Sequence, residues 1–91
     1  MVDREDVQKR VMKITSQVLK IDSSKIGPEL NFVFDLGAES IDSIALVAGY
    51  EKEFNIEMDE DSAFEVQTID KAVDYIINCL EKKENEGADT T

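Results

Sequence analysis

Apolar residues return every three or four positions through the opening stretch of the chain. Val7, Val11, Ile14, Val18 and Ile21 form a single stripe, which predicts a helix over residues 3–20. Asp3 suits its N-cap, and acidic Glu5 and Asp6 suit the positive end of its dipole. The period then stops. Residues 22–39, DSSKIGPELNFVFDLGAE, contain Gly27-Pro28 and no helical repeat. A connection this long needs pinning, and Ile26, Leu30, Phe32, Phe34 and Leu36 are the candidate pins.

Helical spacing resumes from Ser40 to Phe54. Asp59 to Phe64 predicts a short third helix. Thr68 then stands where it caps a last helix whose Ile69, Ala72, Val73, Ile76 and Leu80 share a face. The expected fold is all-α: a four-helix bundle with three longer helices, a short third helix and a long loop between helices 1 and 2. Leu30 to Leu36 and Phe54 to Met58 also alternate as strands do, so a small βαβ unit is the second reading. Two strands make a meagre sheet, and Phe54 already fits a helix. One helical domain is expected over residues 1–82. A mobile tail is expected over 83–91, where Ala88 is the only apolar residue.

The second helix is apolar on two sides. At about 100° per residue, Ser43, Leu46, Val47, Tyr50 and Phe54 gather on one side, the natural core face. Ile41, Ile44, Ala45 and Ala48 gather almost opposite, with Lys52 beside them. Two readings follow. Either the 22–39 segment covers this second face, or the face is a shallow recognition patch rimmed by Glu39, Asp42 and Glu51.

Charge narrows the partners. Ten Lys+Arg against 21 Asp+Glu leave −11 on 91 residues. That sign repels nucleic-acid phosphates and anionic lipid heads and favours proteins with basic patches. No apolar run approaches the ~20 residues that cross a bilayer, so no membrane insertion is expected. MVDREDVQKR has no signal-peptide apolar segment, and the expected place is the cytoplasm. With 42% hydrophobic residues the chain is too apolar to be disordered throughout. A domain this short buries only ~60% of its unfolded surface, so the core must be economical.

The chemistry is bounded by what is missing. The chain has no histidine, which removes the usual base for a nucleophile and the commonest metal ligand. No catalytic residue and no metal site are expected. Met58-Asp59-Glu60-Asp61 lacks both the ligand spacing and the central glycine of a calcium loop. Cys79 is the only cysteine, so no internal disulfide forms, and a half-buried thiol is expected. Ser40 has two readings. As a plain N-cap it would satisfy an orphan amide for ~1 kcal/mol. As an attachment point it would place a phosphate ester at a helix N-terminus, where free amides and the dipole favour an anion. Gly37 permits the left-handed backbone that exposes it.

The stretch Asp35-Leu36-Gly37-Ala38-Glu39-Ser40-Ile41-Asp42 resembles the D-L-G-x-[DE]-S-[LI]-D motif of acyl carrier proteins. The likeness extends over roughly residues 3–80. Phe32-Val33 lies where that family commonly has F-V. Glu51-Lys52-Glu53-Phe54 is similar to its E-x-E-F, and Ala72-Val73-Asp74-Tyr75-Ile76 to its A-x-x-Y-I. The resemblance implies a four-helix bundle and no catalytic residues. It implies 4′-phosphopantetheine, from coenzyme A, on Ser40. It implies a phosphopantetheinyl transferase and acyl-loading, elongating and acyltransferase enzymes with basic docking patches as partners, met by a monomer. Glu39, Asp42 and Glu51 would be the acidic contacts, with Ile41, Ile44 and Ala48 as the apolar ones and Lys52 beside them.

Several positions depart from the familiar fatty-acid carriers. Glu39 and Ile41 flank the serine where Asp and Leu are usual, and Ala45 and Lys52 replace acidic residues. Met58-Asp59 replaces Ile-Pro, and Phe34 stands where a polar residue is usual. These changes point to a dedicated carrier for a specialised lipid, envelope glycolipid or polyketide-like product. The alternatives are a free-standing peptidyl or aminoacyl carrier, and a helical interaction domain without a prosthetic group in which Ser40 is only a cap.

Overall fold

The computed structural model describes residues 2–89, with side chains for all but residues 60, 64 and 85–89. Four α-helices follow one another: α1 (Arg4–Leu19), α2 (Ser40–Phe54), α3 (Glu60–Glu65) and α4 (Ile69–Asp89), with a 3-10 turn at Ser23–Lys25. α1 packs against both α2 and α4. Asp3 caps α1 as its position suggested, its carboxylate accepting from the Glu5 amide at 3.0 Å. Two helices stop at residues with left-handed backbone, Lys20 after α1 and Asn55 after α2, each returning its amide to a carbonyl of the last turn. Asp59 caps α3, accepting from the Ser62 amide. Thr68 caps α4, its hydroxyl accepting from the Lys71 amide at 3.3 Å. α4 runs on through residues 83–89, and Lys83 Nζ donates to the Asn55 carbonyl at 2.6 Å. Residues 90–91 of the expected tail lie outside the described residues.

The core is drawn from all three long helices and the connections. Val7, Val11, Leu46, Tyr50, Phe54, Ile69, Ala72, Val73 and Ile76 are buried, and Ile26, Phe32, Ile56 and Met58 close it from the loops. The α1 stripe is rotated slightly from the apolar positions: Val7 and Val11 are joined by Thr15, while Ile14, Val18 and Ile21 are half-buried. Hydrophobicity does not flag Thr15, yet it is wholly buried. Its hydroxyl donates to the Val11 carbonyl at 2.7 Å and pairs with Tyr50 Oη at 2.5 Å, so neither group is left unpaired in the interior. At Gly49 α1 comes so close that a Cβ would meet Ile14 Cγ2 at 2.8 Å. Arg10 joins α1 to the end of α2, donating to Glu53 Oε2 and to the Glu53 carbonyl, both at 2.8 Å, with its guanidinium 4.4 Å from the centre of the Phe54 ring. Cys79 is half-buried, and burial pushes its thiol up from the ordinary value.

The βαβ reading is overturned. Among the described residues there is no strand, only an isolated bridge between Asn31 and Thr68. Ile56 and Met58 do alternate inward with Glu57 outward, but as an unladdered connection. Around Phe32 the chain turns instead of extending. The Phe32 amide donates to the Gln67 carbonyl at 2.9 Å, and the Leu30 and Pro28 carbonyls accept from the Ile69 and Asp70 amides. These bonds stitch the long loop to the start of α4. Ile26 and Phe32 are true pins. Phe34 is not: it is 87% exposed.

Candidate functional site

The site begins with Asn31, which organises the turn leading to α2. Its side-chain oxygen accepts from the amides of Val33 and Phe34, both at 2.9 Å. Its carbonyl accepts from Asp35 and Leu36, and its own amide donates to Asp35 Oδ2 at 2.7 Å. An asparagine side chain that bonds the backbone two residues on is a compact way to reverse a chain. Asp35 therefore locks the turn. Gly37 follows with φ +71°, and its amide donates to the Val33 carbonyl at 3.1 Å. A side chain is disfavoured there by the left-handed backbone, because the space around it is open. Ala38 then turns inward and is buried, its amide held by the Phe32 carbonyl at 2.8 Å.

Ser40 is the first residue of α2, and Glu39 is the N-cap. This corrects the reading of Ser40 as a plain cap. The Asp42 carboxylate accepts from the Glu39 amide at 3.0 Å, one half of a capping box whose other half runs from the Asp42 amide to the Glu39 side chain, so the start of α2 is held without the Ser40 hydroxyl. Ser40 is exposed, and its hydroxyl makes no hydrogen bond among the described residues. The first helical bond runs from the Ser43 amide to the Glu39 carbonyl, so the Ser40 and Ile41 amides lie ahead of the helical ladder. Free hydroxyl, forward-facing amides and the positive end of a helix dipole suit a phosphate ester. The residues present thus fit a phosphate-linked prosthetic group.

The second face of α2 is uncovered. Ile41 is 72% exposed and Ile44 65%, and Ala45, Ala48 and Lys52 are exposed along the same side. The 22–39 segment is tied elsewhere: Pro28, Leu30 and Phe32 bond to residues 67–70 at the start of α4, and the 3-10 turn at Ser23–Lys25 lies against α1. Leu46, Tyr50 and Phe54 are buried on the core side, with Ser43 and Val47 half-buried. The three rim carboxylates are not equivalent. Glu39 is exposed. Asp42 is occupied at the cap, and Glu51 Oε2 accepts from the Met58 amide at 3.0 Å, pinning the connection after α2. The sequence reading missed Asn31 altogether, although an asparagine two residues before the exposed turn was the available signal.

No group of three or more His, Cys, Asp or Glu side chains able to hold a metal occurs among the described residues. None of the described helices is long and apolar enough to cross a membrane.

Residues 9–76 match the family described as "Phosphopantetheine attachment site". The chain is 40% identical over 75 residues to acyl carrier protein 2, mitochondrial, of Arabidopsis thaliana, a match covering 82% of this chain and 60% of that protein. It is 38% identical over 71 residues to the acyl carrier protein of Porphyromonas gingivalis, covering 78% of this chain and 91% of that one. Matches therefore take in most of this chain, though under two thirds of the plant relative.

Proposed function

Because the chain belongs to the phosphopantetheine-attachment family of acyl carrier proteins, which are carriers and not enzymes and which bear 4′-phosphopantetheine covalently, we propose that Ser40 is the attachment residue. One observation carries this reading. Ser40 is an exposed serine whose hydroxyl is unbonded, at the first position of a helix whose cap is supplied by its neighbour. Transfer from coenzyme A would make Ser40 Oγ the ester oxygen of the pantetheine phosphate, breaking the P–O bond of the diphosphate so that the nucleotide leaves with the other phosphate, while the serine proton passes to a base on the transferase. The first-turn amides of α2 would be the donors available to that phosphate. When bound, the arm supplies a terminal thiol that holds acyl chains as thioesters. The chain's own residues do the rest. Asn31 and Asp35 fix the approach, Asp42 holds the helix start, and the outward face of α2 meets partners.

The partners of this reading are a phosphopantetheinyl transferase and the acyl-loading, elongating and acyltransferase enzymes. Ile41, Ile44 and Ala48 form the apolar centre of the docking face, with Glu39, Asp42 and Glu51 around it. A charge of −11 favours enzymes with basic patches there. Lys52, exposed at the far end of that face, tilts it toward a dedicated enzyme set for a specialised lipid. A single cysteine with no disulfide to make accords with a reducing compartment such as the cytoplasm.

The test is the intact mass of the protein isolated from its own cell. A mass raised by the arm and an acyl chain, the chain removed by hydroxylamine, supports the proposal and identifies the cargo. An aminoacyl mass moves the protein to the peptidyl carriers. An unmodified mass contradicts the carrier reading.

A further inference from the structure

Large apolar side chains stand exposed at Val33, Phe34, Ile41 and Ile44, and these positions bracket Ser40 on both sides. Two belong to α2. The other two belong to the Asn31 turn, and neither Val33 nor Phe34 offers a side-chain group that could hold a phosphate. Phe34 is the most exposed of the four, at 87%. Its backbone is nonetheless fixed, because the Phe34 amide is held by Asn31 Oδ1 and the next residue's amide by the Asn31 carbonyl. A large aromatic side chain held on a fixed turn in water is a poor stabiliser of the fold and a good anchor for a partner. Little ordering remains to be done when it docks.

The anchor lies close to the chemistry. The turn closes through the Gly37 amide on the Val33 carbonyl, and Gly37 is three Cα steps from Ser40, at most ~11 Å along the chain. The surroundings are acidic: Asp35 and Glu39 are both exposed between Phe34 and the serine.

We propose that Phe34 is a second docking anchor, seated in an apolar pocket rimmed by Lys and Arg on the enzyme that acts at Ser40. The proposal rests on Ser40 being the attachment serine. It adds a contact on the turn side of Ser40 to the one offered by Ile41 and Ile44. Two anchors flanking one serine fix the carrier's rotation about α2, which a single helix face leaves loose. A second copy of this chain is a poor occupant, since each copy carries −11.

The experiment uses the full chain, coenzyme A and a phosphopantetheinyl transferase, and reads kcat and KM separately for wild type, Phe34→Ala, Phe34→Glu and Phe34→Leu. The expected result is a KM raised about tenfold in Phe34→Ala and more in Phe34→Glu, since losing an anchor typically costs at least that much. Phe34→Leu recovers part of the loss, and kcat and melting temperature are unchanged throughout. A purely structural role would lower the melting temperature instead. Ser40 modified with the same KM in all four proteins overturns the anchor and leaves the attachment site standing. No modification even of wild type removes both. A wild-type dimer in sedimentation that Phe34→Glu dissolves also overturns the anchor, by assigning Phe34 to self-association.

Discussion

Ile44 and Leu46 stand two positions apart on α2, and their side chains live in opposite surroundings: Ile44 is 65% exposed and Leu46 4%. Ile44→Asp should change stability by no more than ~0.5 kcal/mol, as surface substitutions do. Leu46→Asp places a carboxylate in the core without a partner and should cost several kcal/mol, enough to unfold most of a domain this small. Thermal melts of the two variants compare them directly. Equal melting would remove the distinction between the two faces.

The rim carboxylates should separate by what they already hold. Glu39→Lys removes an exposed carboxylate that shares the capping box of α2, so it should lower the association rate with a basic partner, by a factor that added salt shrinks, and lower stability by ~1 kcal/mol at the helix start. Glu51→Lys also strips the Met58 amide of its acceptor and should lower stability by ~1 kcal/mol as well. Stopped-flow association across a salt series, beside urea melts, reads both effects. An association rate of Glu39→Lys equal to that of wild type at low salt would contradict the docking role of this rim.

The helices were legible because their signals are local. Periodicity gave α2 from Ser40 to Phe54, and Asp3 and Thr68 marked two helix starts. The two-faced character of α2 was equally readable, because a helical wheel needs no tertiary information. What was not legible depended on contacts between distant residues. Phe32 and Phe34 have the same hydrophobicity and strand-like spacing, yet Asn31 reverses the chain between them and sends one inward and the other out. Thr15 reads as polar and is buried because Tyr50, 35 positions on, supplies its partner. Ser40 matched a cap by type. Only the placement of Glu39 and Asp42 releases it from that work.

The Tyr50–Thr15 pair sets a pH dependence. Burial pushes the Tyr50 hydroxyl well above its ordinary value near 10, and the bond to Thr15 opposes this more weakly. Below pH 10 folded and unfolded chains both keep the proton, and the contribution is fully present. Above pH 10 the unfolded chain loses its proton first, so stability falls as pH rises. Between pH 8 and pH 11 wild type should lose ~1 kcal/mol more than Tyr50→Phe, in which this group is absent. Urea melts at both values check it, and equal losses would show that Tyr50 ionises as easily folded as unfolded.

Self-repulsion should be visible in the stability of the whole chain. With −11 on 91 residues, melting temperature should rise with sodium chloride and with millimolar-scale magnesium or calcium, gradually and without preference between the two cations. Calorimetric titration with calcium checks for specific binding. A saturable stoichiometric transition of micromolar-scale affinity would contradict simple screening.

The central claim is that Ser40 takes the prosthetic arm, and intact-mass measurement after incubation with coenzyme A and a phosphopantetheinyl transferase tests it most directly. The predicted result is one phosphopantetheine on wild type, located by peptide fragmentation at Ser40, and none on Ser40→Ala. An unchanged wild-type mass with a transferase active on another carrier, or the arm on Ser23, Ser24, Ser43 or Ser62, would contradict it.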